Sequence, residues 1–215
     1  AFELAMTRNK KVTAIHKANS FHMTDGLFLE CVRHVSQDFP DVELDDLLVD
    51  AATAHMVRTP ERFDVLVATN FYGDIISDLA SELSGSLGLA GSIMASDTHC
   101  CAQAQHGSAP DIAGKGLANP VSMILSVSML LSWLGDKHSA SNYNEAGAAL
   151  STAVDTVLSN PSHHTSDLGG KTYTSEFAAL VSAGRCQAAD ACLPVARQDK
   201  YKPAHTTAYE LDLFS

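Results

Sequence analysis

The sequence is poor in basic residues and has no long apolar run. Lysine and arginine number 14 against 25 aspartates and glutamates, a net charge of −11 over 215 residues. So acidic a balance argues against wrapping a phosphate backbone, which needs a basic surface. It argues equally against an anionic membrane surface. No stretch approaches the ~18 consecutive apolar residues of a membrane span. The greasiest segment, Val121 to Leu134, is broken by Ser122, Ser126, Ser128 and Ser132 and reads as a buried helix. Neither nucleic acid nor membrane is therefore expected as a partner. The five cysteines (Cys31, Cys100, Cys101, Cys186 and Cys192) are odd in number and irregular in spacing, so they form no disulfide framework. Asn160 precedes Pro161, which leaves no glycosylation acceptor there. Both absences point to a reducing setting, intracellular and most simply cytoplasmic. A Gly-x-Gly-x-x-Gly fingerprint, a P-loop and a Gly-x-Ser-x-Gly elbow around Ser86 are all missing. His99, Cys100, Cys101 and His106 fit no standard zinc spacing. The opening residues read neither as a signal peptide nor as a transit peptide. Ala1-Phe2-Glu3-Leu4-Ala5 reads as the middle of a helix, so the expectation is a start inside a longer chain.

What is present is ordinary globular composition, 46% hydrophobic and 18% charged. Lys11 to His16 is short and β-branched and suggests a strand. Asp25 reads as the N-cap of a helix carrying Leu27, Phe28, Cys31, Val32, Val35 and Phe39 on one side, with Cys31 as a small core residue. Leu44 to Val49 is a second strand, followed by an alanine-rich helix that closes near Thr59-Pro60. Asp64 to Thr69 is a third run, apolar as a strand covered on both faces should be. Asn70 to Gly73 breaks it, and Asp74 opens another helix. Residues 92–118 read as loops with a short strand near 99–105, and helices follow at about 119–134, 143–158 and 174–183. His163 and His164 read as surface residues, and residues 186–215 as an irregular tail. Alternation of short strands and helices gives an α/β fold with a mostly parallel sheet flanked by helices.

Several residues could carry chemistry. Asp74 and Asp78 stand four apart and so share a helix face just beyond a strand end, where α/β folds place ligands. Two carboxylates at that spacing suit a hard ion such as Mg²⁺ or Mn²⁺, and suit equally a solvated helix surface. Asp50 also ends a strand and could be a helix N-cap. Lys17, with Asn19 close by, follows a strand and could serve as a proton donor or base. The segment from His106 to Pro120 holds Gly107, Gly114 and Gly116, which allow close backbone approach, and Asp111, which could accept hydrogen bonds from a ribose diol.

Taken together, these segments resemble the isocitrate/isopropylmalate dehydrogenase family, the NAD-dependent β-decarboxylating dehydrogenases. The resemblance covers residues 1 to about 185. It rests on Val12-Thr13-Ala14-Ile15-His16-Lys17-Ala18-Asn19, on Thr24-Asp25-Gly26-Leu27-Phe28 and on Val49-Asp50. It rests also on Asn70-Phe71-Tyr72-Gly73-Asp74-Ile75-Ile76-Ser77-Asp78 and on the His106 to Pro120 segment. The resemblance implies that Asp74 and Asp78 bind a divalent metal, Mg²⁺ or Mn²⁺. Asp50 would come as a third ligand across a two-fold dimer interface. It implies a catalytic role for Lys17, with Asn19 beside it and Asp50 taking part. His106, Gly107, Ser108, Ala109, Pro110, Asp111 and Asn119 would hold the adenosine of the cofactor, and the acidic Asp111 implies NAD rather than NADP. The implied organisation is a dimerisation and metal lobe over 1–73, an incomplete cofactor lobe over 74–185 and the tail over 186–215.

The resemblance also implies a gap. The family's N-terminal part is absent from this sequence. That part bears an arginine cluster for the substrate carboxylates, a tyrosine acid and several strands. Gln103 stands where a glutamate is expected. The expected fold is thus an incomplete member of the family, dimeric or with the 186–215 tail over the exposed sheet edge. The implied activity is metal-dependent, NAD-linked oxidation and decarboxylation of a small 2-hydroxy acid, or a shortened derivative of it. Two alternatives stand beside it: a repurposed metal-dependent non-redox enzyme, and a non-catalytic subunit of a full-length relative.

Overall fold

The computed structural model describes residues 1–188, with side chains through 184. The expected tail at 186–215 therefore lies almost wholly outside the described residues. The chain divides after Leu83 into two compact units. The helix carrying Asp74 and Asp78 lies in the first of them.

In residues 1–83 the elements run α1 (Phe2–Met6), β1 (Lys11–His16), α2 (Thr24–Ser36), β2 (Glu43–Leu48), α3 (Val49–Arg58), β3 (Val65–Ala68) and α4 (Asn70–Leu83). The three strands form one parallel sheet in the order β2-β1-β3, with Lys11 opposite Glu43 and Val12 opposite Val65. Strand β1 is central, so its side chains are covered on both faces. Val12 and Ala14 pack with Phe28, Leu29 and Val32 of α2 and with Val65 and Val67 of β3. Ile15 points the other way, into Ala52 and Met56 of α3 and Ile76 of α4. Asp64 fastens the entry to this sheet: Arg8 Nε donates to its Oδ1 at 2.8 Å and the Asn9 amide donates to its Oδ2 at 3.0 Å.

Two expectations change here. Helix α4 begins at Asn70, not at Asp74; the Gly73 amide already donates to Thr69 O at 2.8 Å, so the supposed break is the first helical turn. Helix α2 buries Phe28, Leu29 and Val32, whereas Leu27, Cys31 and Val35 stand on its exposed side. Cys31 is therefore not a core residue.

In residues 84–188, β4 (Gly91–Ala95) and β5 (Cys100–Ala104) form an antiparallel hairpin, and α5 (Val121–His138), α6 (Ser141–Leu158) and α7 (Thr174–Ala188) follow. Strand β4 falls where only loop was expected. The serines that interrupt the apolar run of α5 hold the hairpin. The Ser92 amide donates to Ser126 Oγ at 2.9 Å, the Gln105 amide donates to Ser122 Oγ at 3.1 Å, and Ser126 Oγ donates to Gln103 O at 2.6 Å. Gly147 lets α6 approach α5 closely, since a Cβ there would stand 2.8 Å from Ser128 O. His163 and His164 are half-buried rather than at the surface, and His164 Nε2 lies 2.9 Å from Leu158 O. Among the described residues, no helix is long and apolar enough to cross a membrane.

Val121, Ala153, Val154, Val157 and Val181 surround Phe177, whose side chain is fully buried. Phe177→Ala should cost about 3–5 kcal/mol, through lost transfer energy and the cavity left behind. Urea unfolding followed by circular dichroism would measure it.

Candidate functional site

Parallel pairing sends the carboxyl ends of β2, β1 and β3 to one edge of the sheet. Lys17 follows β1, Asp50 lies in the first turn of the helix after β2, and Asp74 and Asp78 lie on the helix after β3. An open α/β sheet binds ligands beyond this edge.

Lys17 Nζ donates to Asp50 Oδ1 at 2.5 Å, so these two expected site residues meet within one chain. The lysine is about one-quarter exposed and the aspartate about two-thirds. The hydrogen bond from Lys17 holds the Asp50 carboxyl below its ordinary range. Asp50 is not an N-cap: Leu48 occupies that position, and Asp50 brings negative charge to the first turn of α3. Asn19 sits in the exposed turn after Lys17.

Asp74 and Asp78 are exposed, one turn apart on α4, while Tyr72, Ile76 and Ser77 of the same helix are buried. Hard carboxylate oxygens suit Mg²⁺ or Mn²⁺ in kind. The number of donors in one chain does not: no group of three His, Cys, Asp or Glu among the described residues could hold a metal ion. Asp50 is not gathered with Asp74 and Asp78 into such a group.

Asp25 is not the N-cap expected of it; Met23 holds that position. Asp25 is instead buried, and its Oδ2 accepts the Lys17 backbone amide at 2.7 Å. It also accepts from the Tyr72 hydroxyl; burial first, and then this bond, pushes the Tyr72 pKa up. Beside it, the buried His16 ring receives the Ala18 amide on Nδ1 at 3.1 Å, so Nε2 carries the proton toward Asp46, 3.1 Å away.

The 106–119 segment lies in the second unit. Its turns close through Ile112 N to Ala109 O at 3.1 Å and Lys115 N to Ile112 O at 3.1 Å. His106 Nδ1 lies 3.0 Å from Gly107 O. Ser108, Ala109, Pro110 and Asp111 are exposed, and a Cβ on Gly107 or Gly114 would meet nothing within 4 Å. That leaves the backbone open to a flat ligand, which fits a nucleoside in kind.

The far end of the segment is anchored by residues the sequence did not single out for this. Asp167 Oδ2 accepts Ser86 Oγ at 2.5 Å and Asn119 Nδ2 at 3.0 Å, and its Oδ1 accepts Thr165 Oγ1 at 2.5 Å. Thr174 ties down Gly116 and Ala118, its amide donating to Gly116 O at 2.8 Å and its hydroxyl to Ala118 O at 2.5 Å. Burial pushes the Asp167 pKa up, but the Ser86, Thr165 and Asn119 donors outweigh it and hold the carboxyl below its usual range. Its folded value lies below the unfolded one. The stabilisation is therefore present above the ordinary carboxyl pKa and lost as pH falls through the folded value.

The family model described as isocitrate/isopropylmalate dehydrogenase matches residues 1–181. The isocitrate/homoisocitrate dehydrogenase of Thermus thermophilus is 47% identical over 84% of this chain and 52% of its own length. The 3-isopropylmalate dehydrogenase of Archaeoglobus fulgidus is 44% identical, over 85% of this chain and 54% of its own. Among solved structures, isocitrate dehydrogenase from Methylococcus capsulatus superposes with a TM-score of 0.77 at 41% identity, over 86% of this chain and 53% of that one. The chain thus spans about half the length of the curated relatives it matches.

Two outcomes follow from the hydrogen bonds. In Lys17→Met the Asp50 carboxyl should titrate at higher pH than in the wild type, read by carbon NMR of the carboxyl. Asp167→Ala should lose roughly 1–3 kcal/mol near neutral pH by leaving the Asn119 amide unpaired. In urea titrations that difference should shrink as pH falls below about 4.

Proposed function

The chain belongs to the isocitrate/isopropylmalate dehydrogenase family, and on that premise we propose that it carries part of the site for metal-dependent, NAD-linked oxidation and decarboxylation of a small 2-hydroxy acid. The Lys17–Asp50 pair at the sheet's carboxyl edge is the observation that carries this reading. When bound, a divalent ion supplies Lewis acidity at the substrate oxygens and NAD accepts the hydride. The chain's own groups do the rest. Lys17 holds a proton at Nζ beside the substrate, and Asp50 orients it. Asp74 and Asp78 contribute hard oxygen donors, and the 106–119 segment receives the adenosine, with Asp111 toward the ribose hydroxyls.

Among the described residues no third donor joins Asp74 and Asp78, so the proposed assembly is a two-fold dimer in which each copy lends Asp50 and Lys17 to the other. The exposed apolar residues support it. Met23 at the N-cap of α2, Leu27 on α2, and Phe71 and Ile75 on α4 stand in solvent at 87%, 57%, 70% and 47% exposure. Side chains of this kind, one turn apart on each helix, are what a subunit contact buries.

Calorimetric titration of the 215-residue chain with Mn²⁺ and with NADH, alongside light scattering, tests the proposal. A dimer that binds both, and loses Mn²⁺ binding in Asp74→Asn and in Asp50→Asn, is the expected result. A chain that binds Mn²⁺ and not NADH would overturn the redox part. Mn²⁺ binding by a monomer would overturn the shared site, and binding of neither would overturn the reading.

A further inference from the structure

The main chain of Lys17 has no free group. Its amide donates to the buried Asp25 carboxylate at 2.7 Å. Its carbonyl accepts two amides, from Ser20 at 2.8 Å and Phe21 at 2.9 Å. The next amide, that of Ala18, is taken by the His16 ring at 3.1 Å. An ordinary surface lysine needs none of this. Asp25 is only 6% exposed, and the contacts to its carboxylate come from neutral donors: the Lys17 amide, the Thr24 hydroxyl at 3.2 Å and the Tyr72 hydroxyl. A buried carboxylate is expensive unless its oxygens are satisfied. This one is held by groups from three separate stretches of chain.

Those stretches are the ones that bear the site. Lys17 leaves β1, Asp25 sits in the first turn of α2, and Tyr72 sits in the first turn of α4, two residues before Asp74. Resting on the function proposed above, we infer that Asp25 is a positioning residue. It locks the backbone of Lys17 at the carboxyl end of β1. The mobile part of Lys17 is thereby reduced to its side chain, which loses less conformational freedom on reaching a ligand. Asp25 touches neither substrate nor cofactor in this role.

Amide hydrogen exchange by NMR on the intact chain tests it without any cofactor. In Asp25→Ala the Lys17 amide should exchange at least roughly tenfold faster relative to the Val12–Ile15 amides, and its proton resonance should lose the downfield position that a short bond to a carboxylate confers. Asp25→Asn keeps an acceptor of the same shape and should restore most of the protection. Asp25→Asn keeps the test open if Asp25→Ala does not fold. Equal acceleration throughout β1 and Lys17 would make Asp25 a general stability residue and overturn the inference, as would unchanged Lys17 protection. Mn²⁺ titration of the same wild-type sample separates the two claims. If the exchange pattern holds and no Mn²⁺ binds, the clamp stands and the proposed function fails.

Discussion

Parallel pairing of β2, β1 and β3 is the constraint from which the rest of the first unit follows. Parallel strands cannot be joined by a tight turn, so β1 and β2 are each followed by a crossover, and both crossovers and the helix after β3 leave from one edge. Lys17, Asp50 and the Asp74–Asp78 pair are far apart in sequence and share that edge because β1 lies between the other two strands. The covering of β1 on both faces fixes the register. A slip by one residue would send Ile15 toward α2 and Ala14 toward α3, exchanging a large side chain for a small one in both cores. The position of Lys17 is therefore set by apolar packing several residues earlier in the strand.

Each unit then uses one partly or wholly buried aspartate to hold a loop that the strands do not reach. Asp25 gathers Lys17 and Tyr72 in residues 1–83. Asp167 gathers Ser86, Asn119 and Thr165 in residues 84–188. The logic is the same in both. A carboxylate withdrawn from water is costly alone, and its cost falls only when several donors converge. Removing any one donor leaves the others bound to a less satisfied charge, so the loops at the two sites are held cooperatively and not by independent bonds.

The parts of this molecule legible in its sequence are those where one local pattern decides the outcome. The strands at Lys11–His16 and Val65–Ala68 are apolar runs between turn residues, and coverage on both faces leaves no polar alternation to confuse them. The Asp74–Asp78 spacing declares a shared helix face whichever turn the helix starts on. What could not be read depends on distant partners. An aspartate before a helix is most often a cap, and nothing near Asp25 tells of Tyr72, 47 positions later. Gly73 resembles a breaker until Thr69 is known to accept its amide. Strand β4 contributes a single buried residue, Ile93, and takes its support from the serines of α5 some thirty positions on, so its own composition carries almost no signal. The acidic residues are the sharpest case: Asp50, Asp74 and Asp78 are legible as donor types, but no group of three such donors comes together among the described residues.

Helix α4 shows why assembly and chemistry are inseparable under the proposed reading. Its buried side, Tyr72 and Ile76, belongs to the unit's own core and to the Asp25 network. Its exposed side interleaves Phe71 and Ile75 with Asp74 and Asp78. Any subunit that covers the two apolar side chains also removes water from the two carboxylates. Desolvation strengthens the attraction of those carboxylates for a cation in the same step. Under that reading a dimer without the ion would lack the cation that draws its carboxylates together, and an ion without the dimer would lack Asp50. Each would be weak alone, and subunit association and ion binding would be positively coupled, each strengthening the other by the same free energy.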